Sequence, residues 1–191
     1  MRVICYGDSN TYGFDPHDYF GGRYAAGDRW PELLAKQTGW DVINQGANGR
    51  EIPRGTVPVQ LLDAYAPVDA FLVMLGTNDL LQGASAGEAA ARMEAFLTSL
   101  VPYCRNVLLV SPPPMMRGAW VSNDDLVAES LQLSEEYQRV AEKLHIPFVD
   151  TRDWDIELCF DGVHFTENGH HKFAELLYRD LSCLELSDNR G

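Results

Sequence analysis

Short apolar runs rich in Val, Ile and Leu alternate along the chain with longer segments whose apolar residues recur at helical spacing. The predicted strands cover residues 2–6, 41–44, 70–75, 106–111 and 146–150. The predicted helices cover residues 29–37, 57–65, 87–103, 124–144 and 167–183. Strands separated by helices pair in parallel, with helices on both faces of the sheet. This alternation restricts the chain more than any other feature, and it predicts an α/β fold around one buried parallel sheet.

The length of the chain, 191 residues, is enough for one sizeable core and short for two. We therefore predict a single domain over residues 1–185, followed by a polar tail over residues 186–191. Two connections, 10–28 and 112–123, are long for a compact domain and contain many aromatic, Met and Pro residues. Loops of that length are usually functional or disordered, and the many aromatic, Met and Pro residues argue against disorder.

Acidic residues outnumber basic ones by 28 to 15, which gives a formal net charge of −13. A charge of this sign repels nucleic acids and anionic membrane surfaces, so neither is an expected partner. The first residues contain no apolar segment long enough for a signal peptide, and no window approaches the roughly 18 apolar residues of a membrane span. The sequence therefore predicts a cytoplasmic protein.

The four cysteines are widely spaced, without a Cys-x-x-Cys pair or a His at zinc-binding spacing. Cys5 lies in the first apolar run and Cys104 at the end of a helical segment, so buried free thiols are expected. His170 and His171, near the start of the last helix, are predicted to be surface or capping residues rather than ligands. No metal site is predicted.

A distinct motif follows each of the five predicted strands. "GDSN", with Ser9, follows the first strand, "NQGANGR" the second, "GTND" the third and "SPPPMM" the fourth, while "DGVH" comes after the fifth. In an open parallel sheet, ligands bind beyond the carboxyl ends of the strands. We therefore expect all five motifs to lie at one edge of the sheet.

The residues of these motifs suit acyl transfer. Ser9 alone is more typical of a turn or a helix cap than of a nucleophile, and it needs a base. Asp161 and His164 lie three residues apart in "DGVH", a spacing that lets the carboxylate hold Nδ1 while Nε2 faces a serine. Capping of a helix N-terminus is an equally good interpretation of this pair alone. The Asn78 side-chain amide and the backbone N–H groups of Ser9 and Gly49 are candidate donors to an oxyanion.

Four of these motifs, "GDSN", "NQGANGR", "GTND" and "DGVH", run from residue 7 to residue 164 and together resemble the four motif blocks of the SGNH hydrolases, also called GDSL-type esterases. The resemblance implies that Ser9, Asp161 and His164 form a catalytic triad and that Ser9, Gly49 and Asn78 form an oxyanion hole. It also implies a flavodoxin-like three-layer α/β/α sandwich with five parallel strands in the order 2-1-3-4-5.

The stretches "MLGTND", "VSPPP" and "HFTENG" look like a small intracellular arylesterase/acyltransferase branch of that family. The branch includes oligomers whose partner chains narrow the site, so a homo-oligomer is expected here. Asn10 stands where many members carry leucine after the serine. In the second motif Gly46 competes with Gly49 for the oxyanion role, and Gly49 is preferred because its spacing from Asn44 matches the family pattern.

Three further residues are predicted to bind substrate. Tyr12 lies in the aromatic-rich loop after Ser9, and Met115 and Trp120 follow the fourth strand. The alternatives are that the loop aromatics fold the loop onto the protein, and that Met and Trp side chains form a subunit contact. Arg50 is expected to form an exposed salt bridge, with a contact to a substrate carboxylate as the alternative.

The leading hypothesis is a serine esterase that hydrolyses, or transfers, short acyl groups of small carboxylic esters without a cofactor. A carbohydrate O-deacetylase with the same triad is the alternative within enzymes. In another class, a glycine-rich turn after the first strand is typical of a non-catalytic nucleotide- or flavin-binding module. The stretch "GDSNTYG" contains neither GxGxxG nor a P-loop lysine, which argues against such a module.

Overall fold

Five parallel strands form one sheet in the order β2-β1-β3-β4-β5, in a computed structural model that describes residues 1–18, 20–54 and 59–183. The strands are β1 (Arg2–Gly7), β2 (Asp41–Gly46), β3 (Ala70–Met74), β4 (Val107–Val110) and β5 (Phe148–Val149). The helices are α1 (Ser9–Tyr12), α2 (Trp30–Thr38), α3 (Val59–Ala64), α4 (Thr77–Leu81), α5 (Ala86–Leu100), α6 (Asp124–Leu144) and α7 (Glu167–Cys183). The α/β architecture predicted from the sequence and the strand order implied by the family resemblance are confirmed.

Helices cover both faces of the sheet. Alternate residues of a strand point to opposite faces, so in β1 the side chain of Ile4 joins the cluster formed with α5 and α6, whereas Val3 and Cys5 join the cluster formed with α2 and α7. All of β3, at the centre of the sheet, is buried. The result is a helix–sheet–helix sandwich with two apolar cores. The largest fully buried side chains include Trp30, Tyr137, Phe71, Phe96, Phe165 and Phe173.

Two short helices, α1 and α4, are not predicted from the sequence. They contain 4 and 5 residues, which is too short for helical periodicity to appear in the apolar pattern. Strand β5 is shorter than its predicted range of 146–150. The first residues of the predicted helix 57–65, the end of the predicted domain and the predicted tail over 186–191 lie outside the described residues.

The carboxyl end of β1 lies between those of β2 and β3, because Gly7 pairs in register with Gly46 on one side and with Met74 on the other. The residues that follow these three strands therefore meet at one edge of the sheet. A Cβ on Gly46 would lie 2.0 Å from the backbone nitrogen of Tyr12. Glycine at this position lets the end of β2 pack directly against α1.

The segment after β4 is joined by main-chain hydrogen bonds to the loop after β5. The Met116 amide donates to the Gly162 carbonyl, and the Trp120 amide donates to the Asp161 carbonyl, both at 3.0 Å. These bonds place Trp120 beside the loop that contains His164.

Cys5 and Cys104 are buried free thiols, as predicted, and of the two other cysteines Cys159 is buried and Cys183 exposed. Within the described ranges, no helix combines the length and the apolar character needed to cross a bilayer.

Candidate active site

Ser9 is the first residue of α1 and is 6% exposed. The carboxylate of Asp8 accepts a hydrogen bond from the Asn10 amide at 3.0 Å and caps the helix. Gly13 ends the helix in the left-handed conformation, with φ 87°. A single turn of helix, held at both ends, therefore presents the Ser9 hydroxyl at the carboxyl edge of β1.

Ser9, His164 and Asp161 form a continuous line of hydrogen bonds. Oγ of Ser9 lies 2.9 Å from Nε2 of His164, and Nδ1 of the same ring lies 2.7 Å from Oδ2 of Asp161. All three residues are buried. In this geometry a histidine is able to take the serine proton while the carboxylate holds the ring in the required tautomer.

The carboxylate of Asp161 is held by several hydrogen bonds. Its Oδ1 accepts from the backbone amides of Val163 at 2.9 Å and His164 at 3.0 Å, while Oδ2 faces the imidazole. Burial alone raises the pKa of Asp161, but the hydrogen bonds from the His164 ring and the two amides outweigh it and hold the pKa below its usual value. Asp161 is therefore ionised at neutral pH.

Asp8, next to Ser9, is a second buried carboxylate, and its pKa is shifted in the opposite direction to that of Asp161. Burial raises the pKa of Asp8 to about 6, although the Asn10 amide, the His164 imidazole and the Arg50 guanidinium favour its ionised form. Asp8 therefore changes its charge close to neutral pH, whereas Asp161 does not.

Gly49 and Asn78, the predicted oxyanion donors, follow the strands on either side of β1. Gly49 is exposed, has φ +70°, and has nothing within 4 Å of the position a Cβ would take. Asn78 lies in the first turn of α4, and its Nδ2 donates to the carbonyl of Arg50 at 3.1 Å. One hydrogen bond therefore joins the segment after β2 to the helix after β3.

Arg50 has a structural environment that the sequence does not predict. Its Nη1 donates to the Gly7 carbonyl at 2.9 Å and also to the Gln45 carbonyl, and its guanidinium lies 4.1 Å from the centre of the Tyr6 ring. Among the described residues Arg50 forms no ion pair, so the predicted salt bridge is not found there. Its side chain instead binds main-chain carbonyls at the ends of β1 and β2.

Asp79, next to Asn78 in "GTND", is another site residue that the sequence analysis did not identify. It is fully buried, its Oδ2 accepts from the Ile52 amide at 2.9 Å, and its Oδ1 accepts from Arg92 at 2.8 Å. Asp79 thus connects α4 to the segment that carries Gly49. A carboxylate directly after the motif asparagine was the available signal.

Two aromatic rings contact the His164 imidazole. The centre of the Phe14 ring is 4.8 Å away, and that of Trp120 is 4.9 Å away in an edge-to-face arrangement. Trp120 is 53% exposed, so this predicted pocket residue lies beside His164 and reaches solvent. Tyr12, also predicted for the pocket, is half-buried under the guanidinium of Arg23 at 4.3 Å.

Met115 lies in the apolar core rather than at the surface of the site. It is 3% exposed, and its amide donates to Oγ of Ser130 at 3.0 Å. Its burial argues against the predicted pocket role. Met116, the next residue, is 51% exposed.

His170 is fully buried, which contradicts the prediction that it is a surface or capping residue. Its ring packs edge-to-face against Tyr24 and Phe165. His171 is half-exposed as predicted, with Nε2 3.1 Å from Oδ1 of Asp28, and Glu167 lies nearby. The first turn of α7 thus places neighbouring histidines in opposite environments.

Comparison with known proteins places this geometry in context. The model of the GDSL-like lipase/acylhydrolase family matches residues 5–172. A carbohydrate acetylesterase family member from Sinorhizobium meliloti is 28% identical, with a TM-score of 0.82 over 95% of this chain and 97% of that one. An aryl esterase from M. smegmatis is 26% identical, with a TM-score of 0.82 over 96% of this chain and 99% of that one. Comparison with curated protein sequences finds no significant match.

Proposed function

Because the chain belongs to the GDSL-like lipase/acylhydrolase family and is thus a carboxylic ester hydrolase, we propose that it is a serine esterase whose nucleophile is Ser9. The observation that carries this proposal is the buried line of hydrogen bonds from Ser9 through His164 to Asp161. A serine hydroxyl is a weak nucleophile unless a base removes its proton, and these contacts provide that base.

In the proposed reaction, Nε2 of His164 takes the Ser9 proton as Oγ bonds to the ester carbonyl carbon, and the carbonyl electron pair moves onto its oxygen. The ionised Asp161 stabilises the imidazolium that forms. When the carbonyl re-forms, the bond to the alcohol oxygen breaks and His164 returns the proton to that oxygen. Water, deprotonated by the same imidazole, then attacks the acyl-enzyme, releases the acid and restores Ser9. An alcohol in place of water gives acyl transfer.

The oxyanion is proposed to bind the backbone amides of Ser9 and Gly49 and the side-chain amide of Asn78. The register of β1 with β2 and β3 supports this, since it brings the segments that contain these three residues to one edge. The Asn78 amide nitrogen carries two hydrogens, and its bond to Arg50 uses one of them. Gly49 offers its N–H at an exposed turn where no Cβ hinders approach.

The proposed substrate is a small ester with a short acyl group and a ring in its alcohol. The half-exposed Trp120 beside His164 supports a ring, since sugars and aromatic groups both pack on an aromatic side chain. The similarity to an aryl esterase favours an aromatic alcohol, whereas the similarity to a carbohydrate acetylesterase favours a sugar. The ratio of kcat/KM for phenyl acetate and acetylated xylose distinguishes these two possibilities.

A non-catalytic nucleotide- or flavin-binding module is no longer a competing proposal, because the family is one of acylhydrolases. The turn after β1 is also unsuited to a phosphate. The Asp8 carboxylate already accepts the helix amide that a phosphate would need, and its charge would repel an anion.

The proposal is tested with Ser9→Ala on p-nitrophenyl acetate and with a fluorophosphonate probe. We expect kcat to fall by at least about 10⁴-fold and labelling to disappear. Ser99→Ala is the matched control, because Ser99 Oγ donates only within α5, to the Phe96 carbonyl at 2.7 Å. Retention of full activity by Ser9→Ala would refute the assignment of the nucleophile.

A cytoplasmic location and a homo-oligomeric state are also proposed. The unpaired thiols, including the exposed one of Cys183, support a reducing compartment. Light scattering coupled to size-exclusion chromatography measures the oligomeric state directly.

A further inference from the structure

Asn10, the residue after the proposed nucleophile, bridges to the loop that contains His164. Its Nδ2 donates to the Val163 carbonyl at 3.0 Å, and its Oδ1 accepts from the Phe165 amide at 2.9 Å. These two main-chain groups lie directly before and directly after His164. Asn10 is 5% exposed, so both hydrogen bonds are shielded from water.

The chemistry of this bridge requires an amide side chain. A backbone carbonyl only accepts and a backbone N–H only donates, so Asn10 must offer one donor and one acceptor at the same time. Leucine has a similar size but offers neither group. Aspartate has almost the same shape, but when ionised it offers acceptors only.

The hydrogen bonds made by the main-chain groups of His164 itself lie within its own loop. The His164 amide donates to Oδ1 of Asp161 at 3.0 Å, and its carbonyl accepts from the Cys159 amide at 2.7 Å. Such bonds shape the loop but do not set its distance from α1. Asn10 belongs to α1 beside Ser9, so its two bonds connect the loop to the helix that carries the nucleophile.

We propose that Asn10 is a positioning residue, an inference that rests on the proposed function. By holding the main chain on both sides of His164, Asn10 sets the 2.9 Å contact between Nε2 and the Ser9 Oγ before substrate arrives. A displacement of about 1 Å in such a contact costs on the order of 10² in rate. Loss of the bridge therefore lowers kcat and leaves substrate binding unchanged.

The test uses Asn10→Leu and Asn10→Asp in the full chain, assayed well below the Tm of each variant. Asn10→Leu removes both bonds, whereas Asn10→Asp retains the acceptor for the Phe165 amide and places an oxygen against the Val163 carbonyl. For both we expect kcat on p-nitrophenyl acetate to fall about 10- to 100-fold, with KM within about twofold of the parent value. The rate of fluorophosphonate labelling should fall in the same proportion, because labelling also depends on an activated Ser9.

Asn106→Leu is the matched control. The Asn106 side chain donates to the Asp69 carbonyl at 2.9 Å, and both residues directly precede strands, at the opposite edge of the sheet. This variant is expected to keep its kcat and labelling rate even if its Tm falls.

The positioning role is wrong if either Asn10 variant keeps the parent kcat and labelling rate. It is also wrong if Asn106→Leu loses as much kcat as the Asn10 variants do at a similar loss of Tm. These outcomes differ from failure of the proposed function. An active Ser9→Ala overturns the function itself, whereas an inactive Ser9→Ala together with a fully active Asn10→Leu overturns the positioning role alone.

Discussion

Replacement of His170 by phenylalanine should make the protein more resistant to acid. Among the described residues neither ring nitrogen of His170 has a hydrogen-bond partner. The imidazole packs between the rings of Tyr24 and Phe165, in surroundings that suit an apolar ring. His170→Phe therefore removes no hydrogen bond that the structure shows, and it removes a group that acid would charge inside the core.

The magnitude follows from the pKa of His170. Burial, together with the nearby side chains of His171, Arg29 and His164, lowers this pKa from 6.5 to about 3. The folded state thus binds the proton less tightly than the unfolded state, so the stability that His170 contributes is present above pH 6.5 and is lost as the pH falls toward 3. At about 1.4 kcal/mol per pH unit, the loss is about 2 kcal/mol at pH 5 and approaches about 5 kcal/mol below pH 3.

The assay is urea unfolding of the parent protein, His170→Phe and His171→Gln at pH 7.5, 6 and 5. The free energy of unfolding of His170→Phe should be within about 1 kcal/mol of the parent value at pH 7.5 and about 2 kcal/mol above it at pH 5. His171→Gln is the control. Because His171 is half-exposed, this substitution should leave the pH dependence of the unfolding free energy close to that of the parent. Parallel pH curves for His170→Phe and the parent would refute the reasoning.

Two other predictions concern the site. Asn78→Ala should lower kcat on aryl acetates by about 10²- to 10³-fold with little change in KM, and unchanged kcat in steady-state assays would remove Asn78 from the oxyanion hole. Asp8 has a folded-state pKa raised to about 6, so its contribution to stability is present below about pH 4 and is lost as the pH rises through 6. Asp8→Asn retains a capping oxygen. Its free energy of unfolding minus that of the parent should be up to about 3 kcal/mol larger at pH 8 than at pH 4. If urea titrations give the same difference in unfolding free energy between Asp8→Asn and the parent at both pH values, this prediction is wrong.

The amino-acid sequence predicted the architecture and five residues of the candidate site. Alternation of apolar strands with amphipathic helices is a local property, and in a chain of this length it leads to a parallel sheet with covered faces. Because all strands then run in one direction, residues that follow them share an edge. The short motifs around Ser9, Gly49, Asn78, Asp161 and His164 were therefore enough to identify residues that lie far apart in the chain.

The tertiary structure alone decided how those residues are held. Ser9 and His164 are separated by 155 positions, and the approach of their loops depends on the Asn10 bridge, which no local pattern reveals. The burial of His170 and the environment of Arg50 likewise depend on which elements pack beside them. Residue type and spacing specify which groups follow each strand, but the distances between those groups come from side-chain to main-chain contacts formed only when separate loops have packed together.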